Sequence, residues 1–193
     1  AAMCDVRYNK RITAIDVKRK ELQLADGTTL PYTRIVSTLP LNKMMEMTGL
    51  KVEAKEDPYT SVLVLNIGAK RGAACPDDHW LYNPDARSGF HRVGFYSNVD
   101  HSFLPASSRT NNDSVSIYVE RAYVGGTKLS AKEIRAYSDA VVKELQEWNF
   151  IGEAEVVDPT WIEVAYTWSY PGSRWKAQAL HKLEEQNIFQ VGR

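Results

Sequence analysis

The chain has 193 residues, 44% hydrophobic and 25% charged, with 24 basic and 24 acidic side chains that cancel. That is enough apolar material for a real core and excludes a disordered tail. With no block of like charge, the footprint of a nucleic-acid or anionic-membrane binder is missing, and no nucleic-acid partner is expected.

Cys4 and Cys75 lie far apart and outside any CxxC or Cys/His grouping, which reads as free thiols in a reducing, cytoplasmic setting. No apolar run approaches the roughly 18 residues a membrane span needs, and a basic-then-apolar leader pattern is not seen. The first residue is alanine, so the chain is expected to be a piece of a longer one.

In chain order, residues 6–8 and 12–17 read as short strands, 21–24 alternates into the Asp26-Gly27 turn, and 32–37 follows as an apolar strand, together a small β-meander. Residues 40–47, rich in methionine and ended by Gly49, have the length of one or two helical turns. The segment 51–58 is polar and reads as a loop. YTSVLVLNI, residues 59–67, is β-branched and apolar enough for a central strand.

Residues 79–98, HWLYNPDARSGFHRVGFYSN, read as a hairpin whose turn residues are Asn83-Pro84-Asp85 and Ser88-Gly89. Strand alternation sends His91, Val93 and Phe95 one way and Arg92, Gly94 and Tyr96 the other. Arg92 then sits beside a residue without a side chain, and that gap is expected to leave room for a ligand. Residues 104–113 read as a mobile surface loop, and 114–123 as the next strand.

Ser130 and Glu133 form a capping box, after which Ile134, Tyr137, Val141, Val142, Leu145 and Trp148 recur at helical spacing. Residues 155–168 have strand composition broken by Pro159, which predicts a bend or an edge position. A second helix is expected over 173–185, with Trp175, Ala179, Leu180 and Leu183 on one stripe, and a last strand over 188–191. Strands in a run with helices late predict an α+β fold: a mostly antiparallel sheet of about six strands, two main helices and a small meander. No GxGxxG follows a strand, so the chain carries no dinucleotide-phosphate loop of its own.

Several residues carry two readings. Arg92 is a ligand-binding arginine or the partner of a carboxylate such as Asp85. Tyr82 and Tyr170 are substrate contacts or half-buried tyrosines at a sheet rim. Trp161 and Trp168 are pocket or core residues, whereas Trp148 and Trp175 lie on helical apolar stripes and read as core. The cluster Met44, Met45 and Met47 reads as packing. His79, His91 and His101 have no Cys, Asp or Glu completing a ligand set, and no metal is expected.

LADGTTLPYTRIVSTLPL resembles the "DG…Y…ST(M/L)P" segment of the flavoproteins that include protoporphyrinogen oxidases, amine oxidases and UDP-galactopyranose mutases. NIFQVGR at the other end resembles the strand that re-enters their flavin domain, and WLYNPDARSGFHRVGFYSN and WSYPGSR are similar to stretches of the eukaryotic-type mutases. The resemblance implies that residues 1–39 and 188–193 belong to an FAD-binding domain and 40–187 to a substrate-binding domain. It implies FAD in the full-length parent, none bound by this chain alone, and as partners a small molecule, in the mutase reading a nucleotide sugar, and the flavin-binding remainder of the parent.

Carried over by position, Tyr82, Arg92, Asn98 and Tyr170 fall among the substrate-binding residues, and Arg193 falls near the flavin. An arginine fork with tyrosine hydroxyls suits a diphosphate. Val99 stands where those mutases carry a tyrosine, one phosphate contact fewer. The resemblance thus implies a mutase acting on a nucleotide sugar in cell-surface polysaccharide synthesis, or alternatively an oxidoreductase of the amine oxidase or protoporphyrinogen oxidase kind. A non-catalytic binding module is the reading outside the enzyme class.

Overall fold

The computed structural model describes residues 4–191. In chain order the strands and helices are β1 (Ile12–Asp16), β2 (Glu21–Leu24), β3 (Thr29–Pro31), β4 (Ile35–Ser37), α1 (Leu41–Thr48), β5 (Tyr59–Arg71), β6 (Trp80–Tyr82), β7 (Arg92–Phe95), α2 (Tyr96–Val99), β8 (Ser114–Val124), α3 (Ala131–Glu147), β9 (Ile151–Thr167), α4 (Trp175–Glu184) and β10 (Ile188–Gln190). They form two compact units, one running up to Pro58 and resuming at Trp168, the other Tyr59–Thr167.

In the first unit β1, β2 and β3 form the antiparallel meander. Asp26 shapes one turn by accepting from the Thr28 amide at 3.0 Å and hydroxyl at 2.6 Å, and Gly27 takes the positive φ of 81° that the turn requires. The strand expected over 32–37 is split. The Tyr32 amide bonds back to the Lys20 carbonyl, closing the meander, and the Ile35 amide bonds to the Asn187 carbonyl, so β4 begins afresh as the parallel partner of β10. Residues 6–8 form no strand and pair with none of the described strands. α1 ends at Gly49 in the left-handed region, as the sequence suggests. Met44 and Met45 join Ile15, Trp175, Ala179, Leu183 and Ile188 in the core of this unit.

The second unit is a five-stranded antiparallel sheet in the order β6-β7-β8-β5-β9, in keeping with the expected sheet of about six strands. Leu63, Leu65, Ile67, Val93, Phe95, Ile117 and Val119 bury one face against Tyr137, Val141 and Leu145 of α3. That helix starts where the sequence places it: Ser130 and Glu133 bond reciprocally in the capping box. Trp148 packs at the rim of this core against Phe90 and Phe150, and Trp161 does so beside Tyr123. Pro159 lies on β9, the edge strand, opposite Leu65, where a missing amide costs no ladder bond to a further strand.

The hairpin forms with Trp80 opposite Gly94, Leu81 opposite Val93 and Tyr82 opposite Arg92. Its second strand stops at Phe95, short of the expected Asn98. The Ser97 hydroxyl accepts from the Ser116 amide at 3.1 Å and the Asp100 amide bonds to the Tyr96 carbonyl, so the chain turns helically where a strand would have continued. The 104–113 segment contains a short 3-10 turn at Ala106–Ser108, with Arg109 bonded back to the carbonyls of Leu104 and Ser102.

Glu144 fastens the hairpin's loop to α3. Its carboxylate is 3% exposed and accepts from the Arg87 amide at 2.8 Å, the Ser88 amide at 2.8 Å and the Ser88 hydroxyl at 2.6 Å. Burial pushes its pKa up, but the bonds from Ser88 and Arg87 outweigh it and hold the group below the ordinary carboxylate value. A depressed folded value means stability that is complete above the unfolded value and lost as pH falls through the folded one. Glu144→Gln should therefore cost about 1–3 kcal/mol near neutrality and give a flatter acid-side slope of melting temperature against pH. A slope equal to the wild type's would refute this.

Candidate functional site

The sheet face opposite α3 carries two rows of side chains fixed by strand register. Tyr82, Arg92, Glu120, Val64 and Thr160 form one row, and Trp80, Gly94, Tyr118, Asn66 and Asp158 the other. Arg92 is the centre of the first. Its Nη2 donates to Glu120 Oε1 at 2.5 Å and its Nη1 to the Tyr82 hydroxyl at 3.4 Å. Its Cζ lies 5.9 Å from the Tyr82 ring centroid and 5.6 Å from that of Tyr118, a cation held between two aromatic faces. Trp80 and Tyr82 are 52% and 65% exposed beside it.

The gap beside Gly94 is filled. A Cβ there would meet Tyr118 Cε1 at 1.9 Å, so the glycine makes room for the Tyr118 ring, which also lies against Tyr96 at 4.4 Å. Tyr96 in turn stacks on Phe103 at 5.0 Å. Nor does Arg92 pair with Asp85, as the sequence suggested it could; its carboxylate is Glu120, directly across the β7–β8 ladder. His91 departs from the expected alternation too. β7 begins only at Arg92, Phe90 as well as Val93 is buried, and the His91 Nε2 approaches Glu120 Oε2 at 3.8 Å.

The electrostatics follow from this packing. The Glu120 hydrogen bond raises the Arg92 guanidinium above the ordinary arginine range, against the opposing effect of burial, so it is cationic at any working pH. Burial likewise raises the Tyr96 and Tyr118 hydroxyls, which therefore remain protonated and able to donate.

Of the sequence-predicted residues, Tyr82 and Arg92 come together. Asn98 is occupied structurally: its amide nitrogen donates to the carbonyls of Pro76 at 2.9 Å and Asp78 at 2.8 Å, and its oxygen accepts from Arg71 Nη1 at 3.0 Å. It pins the segment leading into β6. Tyr170 belongs to the other unit, half-exposed, with Trp168 edge-on at 5.5 Å and Lys55 Nζ 5.3 Å over its ring. Arg193 lies outside the described residues. Among the described residues no three His, Cys, Asp or Glu gather as a metal site, and no helix is long and apolar enough to cross a membrane.

The family model of flavin-containing amine oxidoreductases matches residues 1–193, the whole chain. The chain belongs to that family. Among solved structures it resembles a reduced UDP-galactopyranose mutase, with 20% identity and a TM-score of 0.75 over 98% of this chain and 42% of the other. It also resembles a protein assigned as a protoporphyrinogen oxidase from Exiguobacterium sp. 255-15, with 11% identity and a TM-score of 0.63 over 97% of this chain and 42% of the other. At these identities the likeness is one of fold, and the chain spans less than half the length of either protein. Membership of a flavin-containing family implies FAD in the parent protein.

Sequence reasoning placed Tyr96 on the face of Arg92 but missed Glu120 and Tyr118 as parts of this cluster. A signal for Glu120 existed: in SVSIYVERAYV, it is the one acid of a strand rich in valine, isoleucine and tyrosine, and a half-buried acid needs a partner. Which partner depends on cross-strand register, which a single sequence does not carry.

Proposed function

We propose that this amine oxidoreductase family member is the substrate-binding part of an FAD-dependent enzyme acting on a nucleotide sugar in the manner of a UDP-galactopyranose mutase. In this reading residues 40–187 bind substrate, and 1–39 and 188–193 belong to the flavin-binding part with the remainder of the parent. The observation that carries it is the Arg92 guanidinium held between the Tyr82 and Tyr118 rings, on a sheet face where Tyr82 and Trp80 are exposed. A diphosphate needs a fork of N–H donors flanked by hydroxyls, and Arg92 with Tyr82 offers both.

The flavin, once bound, would supply the bond-making chemistry at the sugar's anomeric carbon. This chain's residues orient. Arg92 and Tyr82 hold the leaving diphosphate close, and Asn98 keeps the hairpin's entry in place. A second reading, an oxidoreductase with a less charged substrate, draws on one observation: Glu120 already matches the charge of Arg92.

Calorimetric titration of the full-length flavoprotein with UDP-galactose, beside Arg92→Lys, tests the proposal. The lysine keeps the charge and loses the fork. Binding to the wild type that weakens about tenfold or more in the variant is the expected result, from the loss of a charge-assisted bond. Absence of binding to the wild type would reject the nucleotide-sugar reading in favour of the oxidoreductase.

A further inference from the structure

The Arg92–Glu120 pair is incomplete in a telling way. One hydrogen bond joins Nη2 to Oε1, while Arg92 Nε and Glu120 Oε2 are both buried without a hydrogen-bond partner. Side-chain exposure is 23% for Arg92 and 10% for Glu120. A guanidinium and a carboxylate out of water normally satisfy each other with two parallel bonds. Here each keeps one polar atom unused, and the His91 Nε2 lies 3.8 Å from the spare oxygen.

We propose that Glu120 is a specificity-determining residue that occupies the Arg92 fork in place of the ligand's anion, and that ligand binding exchanges Arg92 from Glu120 to the phosphate. This rests on the reading of Arg92 as the diphosphate ligand. The Tyr82 and Tyr118 rings fix where the guanidinium lies, and Glu120 fixes which way its fork turns when no ligand is present. A diphosphate, with oxygens on two phosphorus atoms, can accept along both edges of the guanidinium, Nη1/Nη2 and Nη2/Nε, and so satisfies the donor that Glu120 leaves bare. Glu120, released, has the His91 imidazole within a short side-chain movement.

The exchange makes anion binding weaker than an unopposed arginine would give, and it does so selectively. A ligand presenting one weak acceptor cannot displace a carboxylate, whereas a diphosphate, with several charged oxygens, can. Glu120 thereby rejects neutral or singly accepting molecules that would otherwise settle on the exposed Trp80 and Tyr82 rings.

The test is made on the full-length flavoprotein with UDP-galactose, whose diphosphate has no titrating proton near neutrality. Glu120→Gln keeps the shape and removes the competing charge, and it is expected to bind at least about tenfold more tightly than the wild type. Equal or weaker binding by Glu120→Gln, with Arg92→Lys still impaired, would overturn the exchange and leave the reading of Arg92 intact. Binding indifferent to Arg92→Lys would reject that reading and the exchange together. A crystal structure of the wild-type complex decides the matter without any variant: Arg92 and Glu120 should part beyond 4 Å, and a pair still in contact while Arg92 holds the phosphate would refute the exchange.

Discussion

Gly94→Ala is expected to destabilise the sheet unit and disable its ligand face in a single step. The added Cβ would lie 1.9 Å from Tyr118 Cε1, 2.2 Å from Cζ and 2.6 Å from the hydroxyl oxygen. Tyr96 at 4.4 Å and the Arg92 guanidinium 5.6 Å from its ring centre hem Tyr118 in, so the ring can make way for the methyl only by swinging outward. Overpacking of this kind costs about 1–3 kcal/mol, and swinging Tyr118 out removes one wall of the guanidinium clamp. Urea denaturation should show the loss, and the double variant Gly94→Ala/Tyr118→Ala should recover part of the stability without restoring UDP-galactose binding to the full-length flavoprotein. A single variant as stable as the wild type would mean that Tyr118 does not press on this glycine.

The second large effect is expected from the ion pair itself. Arg92→Ala leaves Glu120, which is 8% exposed, as a charge without its cation, and removing one partner of a buried pair costs about 3–5 kcal/mol. The pair as a whole contributes far less. Replacing both groups together, Arg92→Met with Glu120→Leu, should return most of the lost stability, because two apolar side chains then pack across the same register position. Denaturation of the three proteins checks this, and a double variant no more stable than Arg92→Ala would show that the loss comes from packing around the arginine stem instead.

Much of this fold is legible in the chain because its signals are local. The Ser130–Glu133 capping box, the turn residues of the hairpin and the glycine after α1 each act within a few residues, and each element appears where those residues place it. The strand expected over 32–37 begins only at Ile35, because its partner, β10, comes from a distant part of the sequence. Ending the second hairpin strand at Phe95 depends on a hydroxyl from Ser97 reaching Ser116, a contact no strand pattern encodes. The site shows the same division. Arg92 and Gly94 on one face followed from alternation, but the Tyr118 ring that fills the gap and the Glu120 that holds the arginine arrive from β8, and only the register of the ladder says so.

The first unit is assembled from two separated stretches of chain, with β4 laid beside β10 and α1 against α4. The five strands and α3 of the other unit all lie between those stretches. On a ribosome, every partner the inserted sheet needs has therefore been made before Trp168 emerges, while the buried faces of Met44, Met45 and Ile15 wait for Trp175, Leu183 and Ile188 to arrive. Closing so long a loop adds entropy cost only slowly with its length, yet the wait leaves methionine and isoleucine surface uncovered throughout synthesis of the intervening segment. Newly made chains are thus adhesive at this unit, and that exposure ends only when α4 is in place.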